Sequence, residues 1–164
     1  MLRVGTVGTS SIMRTIQEAI RLTDGMECRV VYSRTEEQGR AFAAEMGVPE
    51  HCTDYAAMLE RSDLDLIDIA SPNRFHVEQA LAALEHGKHV IVEKPAAVTR
   101  GDVQRLIDAA RANGVYFFEA ITTLFMPQYE ACRLLLPKLG RIEQAHITYA
   151  QYSSRYDAYL RGEN

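Results

Sequence analysis

A glutamate and a lysine at the end of a short apolar run are the residues of this sequence best suited to chemistry. Glu93 and Lys94 directly follow the apolar residues 90–92, and Pro95 follows them. The β-branched run is typical of a parallel strand covered on both faces, and the proline ends it. The carboxyl ends of such strands border the ligand crevice of an open α/β sheet. A lysine there can exchange a proton with a bound molecule, although a weak, solvated ion pair is the alternative.

A second candidate lies near the start of the chain, where residues 4–12 read as a strand, a tight turn and the beginning of a helix. Backbone N–H groups at a helix N-terminus carry partial positive charge, so a pyrophosphate can be held there without a lysine. The pattern departs from the Gly-x-Gly-x-x-Gly fingerprint, because Ser10 and Met13 occupy the second and third glycine positions. The hydroxyl of Ser10 can instead donate to a phosphate. The candidate phosphate-binding residues are Gly8, Thr9, Ser10, Ser11 and Ile12, and an ordinary strand-to-helix turn is the alternative.

A third segment, residues 71–76, precedes an apolar-periodic helix. Together the three segments resemble the Gfo/Idh/MocA oxidoreductases, the family of glucose-fructose oxidoreductase and inositol dehydrogenase. The most specific part is Pro-Asn-x-x-His at residues 72–76, followed by Gly-Lys-His-Val at 87–90 and Glu-Lys-Pro at 93–95. The resemblance covers nearly the whole chain. It implies an NAD(P)-dependent oxidoreductase that transfers a hydride between nicotinamide and a sugar, polyol or related alcohol or ketone.

The resemblance also implies roles for particular residues. Lys94, positioned by Glu93, would polarise the substrate oxygen or share its proton, a general acid/base role. Glu119 matches the Glu-Ala pair that follows the next strand in the family, on the nicotinamide side. The basic residues that the family often carries after that pair are missing here. The expected contacts to the cofactor are Ser71, Pro72, Asn73, His76, Glu93, Lys94 and Glu119.

Two of these contacts have structural alternatives. Asn73 follows a predicted strand end and could bind ribose or carboxamide, or could cap the helix that begins there. His76 lies at the opening of that helix and could equally bind backbone groups.

The end of the second strand bears on which dinucleotide binds. An NAD-selective Rossmann domain tends to carry an acidic residue there, which binds the ribose hydroxyls and repels a 2′-phosphate. This chain has Ser33 and Arg34 instead, and an arginine can meet the 2′-phosphate and stack on adenine. We therefore predict NADP as the cofactor, with NAD possible. A surface ion pair of Arg34 with Glu36 or Glu37 is the alternative.

Strands and helices alternate along the chain, as in a doubly wound parallel sheet. The pattern predicts an α/β fold with a Rossmann-type dinucleotide-binding domain at residues 1–120. We predict strands at 2–8, 28–33, 51–53, 64–70, 89–92 and 115–119, and helices at 11–23, 36–46, 55–61, 75–85 and 101–112.

The last part of the chain, residues 121–164, reads as a connecting helix at 128–136 and an alternating strand at 141–152. This strand resembles the first strand of the family's second domain, an open α+β sheet that supplies most of the substrate pocket. Because single strands are not stable modules, we expect the chain to be part of a longer protein. The resemblance further implies that the full-length protein is a homo-oligomer.

Composition limits the remaining classes. The chain has 164 residues, is 47% hydrophobic and carries a net charge of −4, which gives no reason to expect nucleic acid. No apolar run is long enough to span a membrane, and the start at Met1 leaves no room for a signal peptide. Three cysteines without a Cys-x-x-Cys pair argue against disulfides and a thiolate metal site, and read as core residues. We expect a cytoplasmic protein.

Two other functions are compatible with these observations. The first is a regulatory or scaffolding protein that senses NADP(H) without turnover. The second is an NAD-linked reductase of an unsaturated ring, as in biliverdin-reductase-like relatives. An acid/base residue facing Lys94 from a second domain would favour the dehydrogenase.

Overall fold

The computed structural model describes residues 1–150 and 156–161. The chain divides into two compact units, Met1–Thr122 and Thr123–Asn164. The assignment of a dinucleotide-binding domain and a truncated second domain to these parts remains a prediction.

The first unit is built on a six-stranded parallel sheet. Its order is β3-β2-β1-β4-β5-β6, and every neighbouring pair is parallel. This confirms the predicted doubly wound α/β fold of Rossmann type. The strands are β1 (Leu2–Val7), β2 (Met26–Tyr32), β3 (Glu50–Cys52), β4 (Leu66–Ile69), β5 (His89–Val92) and β6 (Phe117–Glu119).

Five α-helices connect these strands, and their ends follow from local sequence signals. Thr35, Asp54 and Thr99 each accept a hydrogen bond from a backbone N–H in the first turn of the helix that follows, as N-cap residues do. Gly47 ends the second helix in the left-handed region with φ of 70°. The helices are α1 (Ser11–Leu22), α2 (Glu36–Met46), α3 (Tyr55–Leu59), α4 (His76–Glu85) and α5 (Arg100–Ala112), with a 3-10 turn at Asn73–Phe75 before α4.

The sheet is covered on both faces. On one face α3, α4 and α5 pack Met58, Leu84 and Leu106 against the side chains of Ile67 and Val90, all fully buried. On the other face α1 and α2 contribute Met13, Phe42 and Ile20, which pack near Val31 and Val4. Because β4 and β5 are packed on both sides, their sequences are mostly apolar.

The order of the sheet reverses between β1 and β4. Their carboxyl ends are joined by a hydrogen bond from the Ala70 N–H to the Val7 carbonyl, at 2.9 Å, and the Gly8 N–H donates to the Tyr32 carbonyl of β2, at 3.0 Å. Loops that leave a sheet at such a point diverge to opposite faces, so a crevice opens between them.

The second unit is helical in the part that the structure describes. It contains α6 (Pro127–Leu135), a 3-10 helix at Leu136–Leu139 and α7 (Tyr156–Leu160). The predicted strand at 141–152 is wrong for residues 141–150, which form no regular element; its last two residues lie outside the described part. Alternating residues form a strand only when a neighbouring strand pairs with their backbone, and Ile147 is 94% exposed here.

The cysteines follow the prediction only in part. Cys28 and Cys52 are partly buried and free, but Cys132 is free and exposed, so its assignment to the core was wrong. It lies on α6, whose side chains are all exposed. None of the helices in the described ranges is both long enough and apolar enough to cross a bilayer.

Candidate functional site

A pocket of about 330 Å³ opens at the carboxyl ends of β1, β2 and β4. We call it the crevice pocket. Seven of the predicted cofactor residues line it, namely Gly8, Thr9, Ser10, Ser33, Arg34, Ser71 and Pro72, together with Val7, Tyr32, Gln38, Ala70, Phe75 and Gln79. The other predicted residues are Ser11, Ile12, Asn73, His76, Glu93, Lys94 and Glu119, and none of them belongs to the lining of this pocket.

The turn between β1 and α1 requires a glycine. Gly8 has φ of 114°, a left-handed conformation that side chains rarely adopt. A Cβ on Gly8 would lie 2.8 Å from the carbonyl oxygen of Ala70. The turn therefore approaches the end of β4 closely. Its residues Gly8, Thr9 and Ser10 line the crevice pocket.

The N-terminus of α1 faces the same region with unused donors. Ser10 is the N-cap residue, with extended backbone angles, but its side chain makes no capping hydrogen bond. No acidic residue lies in the first turn, so nothing there neutralises the positive end of the helix. Ser11 and Ile12 begin the helix and are exposed. This geometry suits an anion that accepts hydrogen bonds from backbone N–H groups and from the Ser10 hydroxyl.

Arg34 is available to an anionic ligand. It is exposed, and in residues 1–150 and 156–161 the structure shows no ion pair or hydrogen bond to its side chain. The alternative partner Glu36 is engaged elsewhere: His51 and Arg40 lie 2.8 Å and 2.9 Å from its Oε1 atom. These hydrogen bonds lower the pKa of Glu36. The predicted alternative, in which Arg34 pairs with Glu36, is therefore not what the structure shows.

Tyr32 and Gln79 line the crevice pocket, although the sequence did not single them out for the site. The Ser71 hydroxyl donates to Oε1 of Gln79 at 2.6 Å, and the Tyr55 hydroxyl donates to the Gln79 backbone carbonyl at 2.8 Å. The ring of Tyr32 lies 5.3 Å from that of Tyr55. Burial raises the pKa of Tyr55 to a value above its usual range. A sequence signal existed only for Phe75 and Gln79, which are four residues apart and so share one side of the helix start.

His76 is fully buried and bound to backbone groups. Its Nδ1 atom lies 2.9 Å from the Pro95 carbonyl oxygen and its Nε2 atom lies 2.8 Å from the Ser71 carbonyl oxygen. This is the alternative role considered for this histidine. Asn73 lies in the exposed 3-10 turn, and its side chain caps neither that turn nor α4.

Lys94 lies beyond the ends of β4 and β5. It is exposed, and its ammonium group has no hydrogen bond or ion pair within the part of the chain that the structure describes. Glu93 is partly buried, and its backbone N–H donates to the Ile69 carbonyl at 2.8 Å. Glu119 accepts a hydrogen bond from the Ala96 N–H at 2.9 Å. Glu93 and Lys94 are adjacent in the chain, but the part of the chain that the structure describes shows no ion pair between their side chains.

Asp68 is a polar residue that sequence reasoning passed over. It lies in the middle of β4, is 6% exposed, and its Oδ1 atom has no hydrogen-bond partner among the described residues. Burial, with a smaller contribution from Glu93, raises the pKa of Asp68 to about 7. The available signal was a charged residue inside a strand that is otherwise apolar.

Comparison with known proteins identifies relatives along the whole chain. The Gfo/Idh/MocA model, an oxidoreductase family with an NAD-binding Rossmann fold, matches residues 2–121. The oxidoreductase YgjR of Escherichia coli (strain K12) is 40% identical over 164 residues, which are 100% of this chain and 50% of that protein. A scyllo-inositol 2-dehydrogenase (NADP(+)) of Bacillus subtilis (strain 168) is 37% identical over 162 residues, 99% of this chain and 49% of that protein.

A solved structure gives the same match in three dimensions. KijD10, a 3-ketoreductase from Actinomadura kijaniata in complex with NADP and TDP-benzene, is 30% identical and has a TM-score of 0.78. The match covers 84% of this chain and 42% of that one. The chain spans about half the length of the curated relatives it matches.

Proposed function

The chain belongs to the Gfo/Idh/MocA oxidoreductase family, and from this premise we propose that it is the cofactor-binding part of an NADP(H)-dependent dehydrogenase or reductase. The whole protein would transfer a hydride between nicotinamide and the carbinol carbon of a sugar, polyol or related alcohol. The inositol dehydrogenase among its relatives supports this class of substrate.

The observation that carries the proposal is the end of β2. An acidic residue there would bind ribose hydroxyls and repel a 2′-phosphate, but this chain places Ser33 and Arg34 on the crevice pocket. The structure shows no ion pair or hydrogen bond to the Arg34 guanidinium in the described residues, and Glu36 is bound to Arg40 and His51. A phosphate therefore displaces no existing ion pair when it binds there, and a guanidinium can hold it with two hydrogen bonds.

The rest of the pocket fits a dinucleotide. The absence of a side chain on Gly8 leaves the β1–α1 turn close to β4, so a pyrophosphate can approach the N-terminus of α1. The free hydroxyl of Ser10 is a further donor. Phe75, Pro72 and Tyr32 offer apolar surface to an adenine ring.

In this proposal Lys94 acts on the substrate. The nicotinamide ring of a bound cofactor would supply or accept the hydride. Lys94 is exposed at the ligand edge of the sheet, and its ammonium group can hold or release a proton at the substrate oxygen. We also propose a cytoplasmic location and a homo-oligomeric complete protein.

Fluorescence titration of the 164-residue chain with NADPH and with NADH tests the proposal. We expect NADPH to bind more tightly than NADH, because only NADPH carries the phosphate that Arg34 can bind. Tighter binding of NADH, or binding of neither cofactor, would overturn the cofactor assignment. A complete protein that binds NADPH but turns over no sugar, polyol or unsaturated ring would instead be a sensor.

A further inference from the structure

The backbone of residues 93–96, which we call the Lys94 loop, is fixed by hydrogen bonds from both neighbouring strands. The Glu93 N–H donates to Ile69 at the end of β4, at 2.8 Å. On the other side the Ala120 N–H, after β6, donates to the Val92 carbonyl, also at 2.8 Å. These bonds extend the sheet ladder up to the residue before Lys94.

His76 holds the middle of the loop. Its two ring nitrogens lie within hydrogen-bond distance of the Pro95 and Ser71 carbonyl oxygens. The ring thus bridges the Lys94 loop and the loop that enters α4, one wall of the crevice pocket. A neutral imidazole has a single N–H and can donate to only one of these carbonyls at a time. The ring itself is fully buried.

Glu119 holds the end of the loop. Its Oε1 atom accepts the Ala96 N–H at 2.9 Å, across 23 positions of sequence. The side chain is exposed, but one of its two oxygens is bound to the protein backbone. A hydrogen bond to a carboxylate is worth more than one between neutral groups, so this contact restrains the loop just after Lys94 and Pro95.

The Lys94 loop is held by hydrogen bonds, whereas the side chain of Lys94 is not. The backbone on either side is bound to β4, β6, His76 and Glu119. The ammonium group is exposed and, where the structure describes the chain, bound to nothing. A restrained backbone with a free side chain is the arrangement expected of a group that must reach a ligand from a fixed origin.

We propose that His76 and Glu119 are positioning residues for Lys94, and that Glu119 acts as a hydrogen-bond acceptor for the Lys94 loop rather than as a charged contact to the cofactor. The inference rests on the proposed function, in which Lys94 acts on a ligand next to the nicotinamide. The role of Glu119 can nevertheless be tested separately. An acceptor for the Ala96 N–H needs an oxygen atom but no charge, so a glutamine at position 119 should replace it.

The test compares Glu119→Ala with Glu119→Gln in the 164-residue chain. The glutamine keeps a carbonyl oxygen at the position of Oε1 and removes the charge, while the alanine removes both. Amide hydrogen exchange at Ala96 is measured by NMR, together with the change in the Lys94 side-chain signals on adding NADPH, the NADPH dissociation constant and the melting temperature.

We expect Glu119→Ala to speed exchange at Ala96 by about tenfold or more, as loss of a hydrogen bond of about 1.4 kcal/mol implies. It should also weaken the response of the Lys94 signals. Glu119→Gln should restore both readouts. The NADPH dissociation constant should change less than about threefold in either variant, because Glu119 is not part of the crevice pocket.

Two results would overturn the inference. One is unchanged exchange at Ala96 in Glu119→Ala. The other is a Glu119→Gln variant that behaves like the alanine, since the charge would then matter. If the wild-type chain fails to bind NADPH, the proposed function falls, but the exchange rates still decide whether Glu119 holds the loop.

His76 provides a second comparison. His76→Phe keeps a buried ring and removes both nitrogens, and it should speed exchange in the Lys94 loop. His76→Asn keeps one donor and should retain part of the restraint. Because Glu119 is exposed and His76 is buried, the Glu119 pair decides the inference if the His76 variants fail to fold.

Discussion

Gly8 lies so close to Ala70 that a Cβ on the glycine would be 2.8 Å from the alanine's carbonyl oxygen. The two residues follow β1 and β4, the strands between which the order of the sheet reverses. Because of this contact, the turn between β1 and α1 cannot carry a side chain at position 8.

We predict that Gly8→Ala destabilises the fold and abolishes NADPH binding. The alanine would be strained by its positive φ, at about 1–2 kcal/mol, and would in addition displace the Ala70 carbonyl. Gly25→Ala is the matched control, since Gly25 also has a positive φ, of 83°, but a Cβ there meets nothing within 4 Å. Urea unfolding and NADPH titration measure both effects. Equal losses of stability in the two variants would contradict the role assigned to the Ala70 contact.

Arg34→Asp should weaken NADPH binding by about one to two orders of magnitude, roughly 1.4 to 2.8 kcal/mol. NADH binding should change little or improve, because NADH has no 2′-phosphate to repel. Arg111→Asp makes the same charge change at an exposed position outside the crevice pocket, and should leave the ratio of the two affinities unaltered. Fluorescence titration is the measurement. Equal losses for both cofactors in Arg34→Asp would mean that Arg34 supports the shared adenosine or the fold.

The two lysines of residues 87–95, Lys88 and Lys94, should respond to substitution in opposite ways. Lys94→Ala should lower turnover of the complete protein by roughly 10²- to 10⁴-fold while changing stability by less than about 0.5 kcal/mol, because its side chain is exposed and unbound in the described structure. Lys94→Arg should not restore turnover, since arginine does not release its proton.

Lys88→Met is the control for this comparison. The Lys88 ammonium is buried and donates to the Arg61 and Leu64 carbonyls at 2.6 Å and 3.0 Å. Loss of the ammonium group should lower the free energy of unfolding by about 1–3 kcal/mol, because the two carbonyl groups are left without a hydrogen-bond donor. Steady-state kinetics and thermal melts separate the two effects. A Lys94→Ala variant with normal turnover and a much lower melting temperature would show that Lys94 is structural.

Asp68 should make the protein less stable as the pH rises towards neutrality. An unfolded aspartate loses its proton near about pH 3.9, whereas folded Asp68 holds it to about pH 7. Between these values the unfolded state binds fewer protons than the folded state, so stability falls with pH. The full effect is on the order of 4 kcal/mol at 1.36 kcal/mol per unit.

Asp68→Asn should remove this dependence and raise the stability at pH 7 relative to the wild type. Asp65→Asn is a control of opposite sign: the Arg3 guanidinium beside Asp65 lowers the pKa of that carboxyl, so its contribution is present at neutral pH and is lost in acid. Urea unfolding from pH 2 to pH 8 gives the comparison, because the Asp65 contribution is lost only below about pH 3.9. A wild type and Asp68→Asn with parallel pH profiles would contradict the raised pKa.

The sequence by itself determined most of the fold of the first unit, because the relevant signals are local. The period of the apolar residues predicted each strand and helix of residues 1–120, with ends that differ by at most two residues. Gly8 and Glu93–Pro95 were also located correctly at strand ends, since the carboxyl end of a parallel strand can be read from where its apolar run stops.

Only the tertiary structure decided what those strand ends contact. The Gln79 carbonyl accepts a hydrogen bond from the Tyr55 hydroxyl, and Glu119 accepts one from the Ala96 N–H; both join elements that are distant in sequence. The burial of Asp68 likewise requires the strands on either side. Residues 141–150 show the opposite case, since their alternating pattern found no neighbouring strand in the described structure. The spacing of apolar residues and the types of turn residue determine where a helix or strand forms. The elements that it contacts depend on backbone hydrogen bonds and side-chain packing between segments, which no single segment contains.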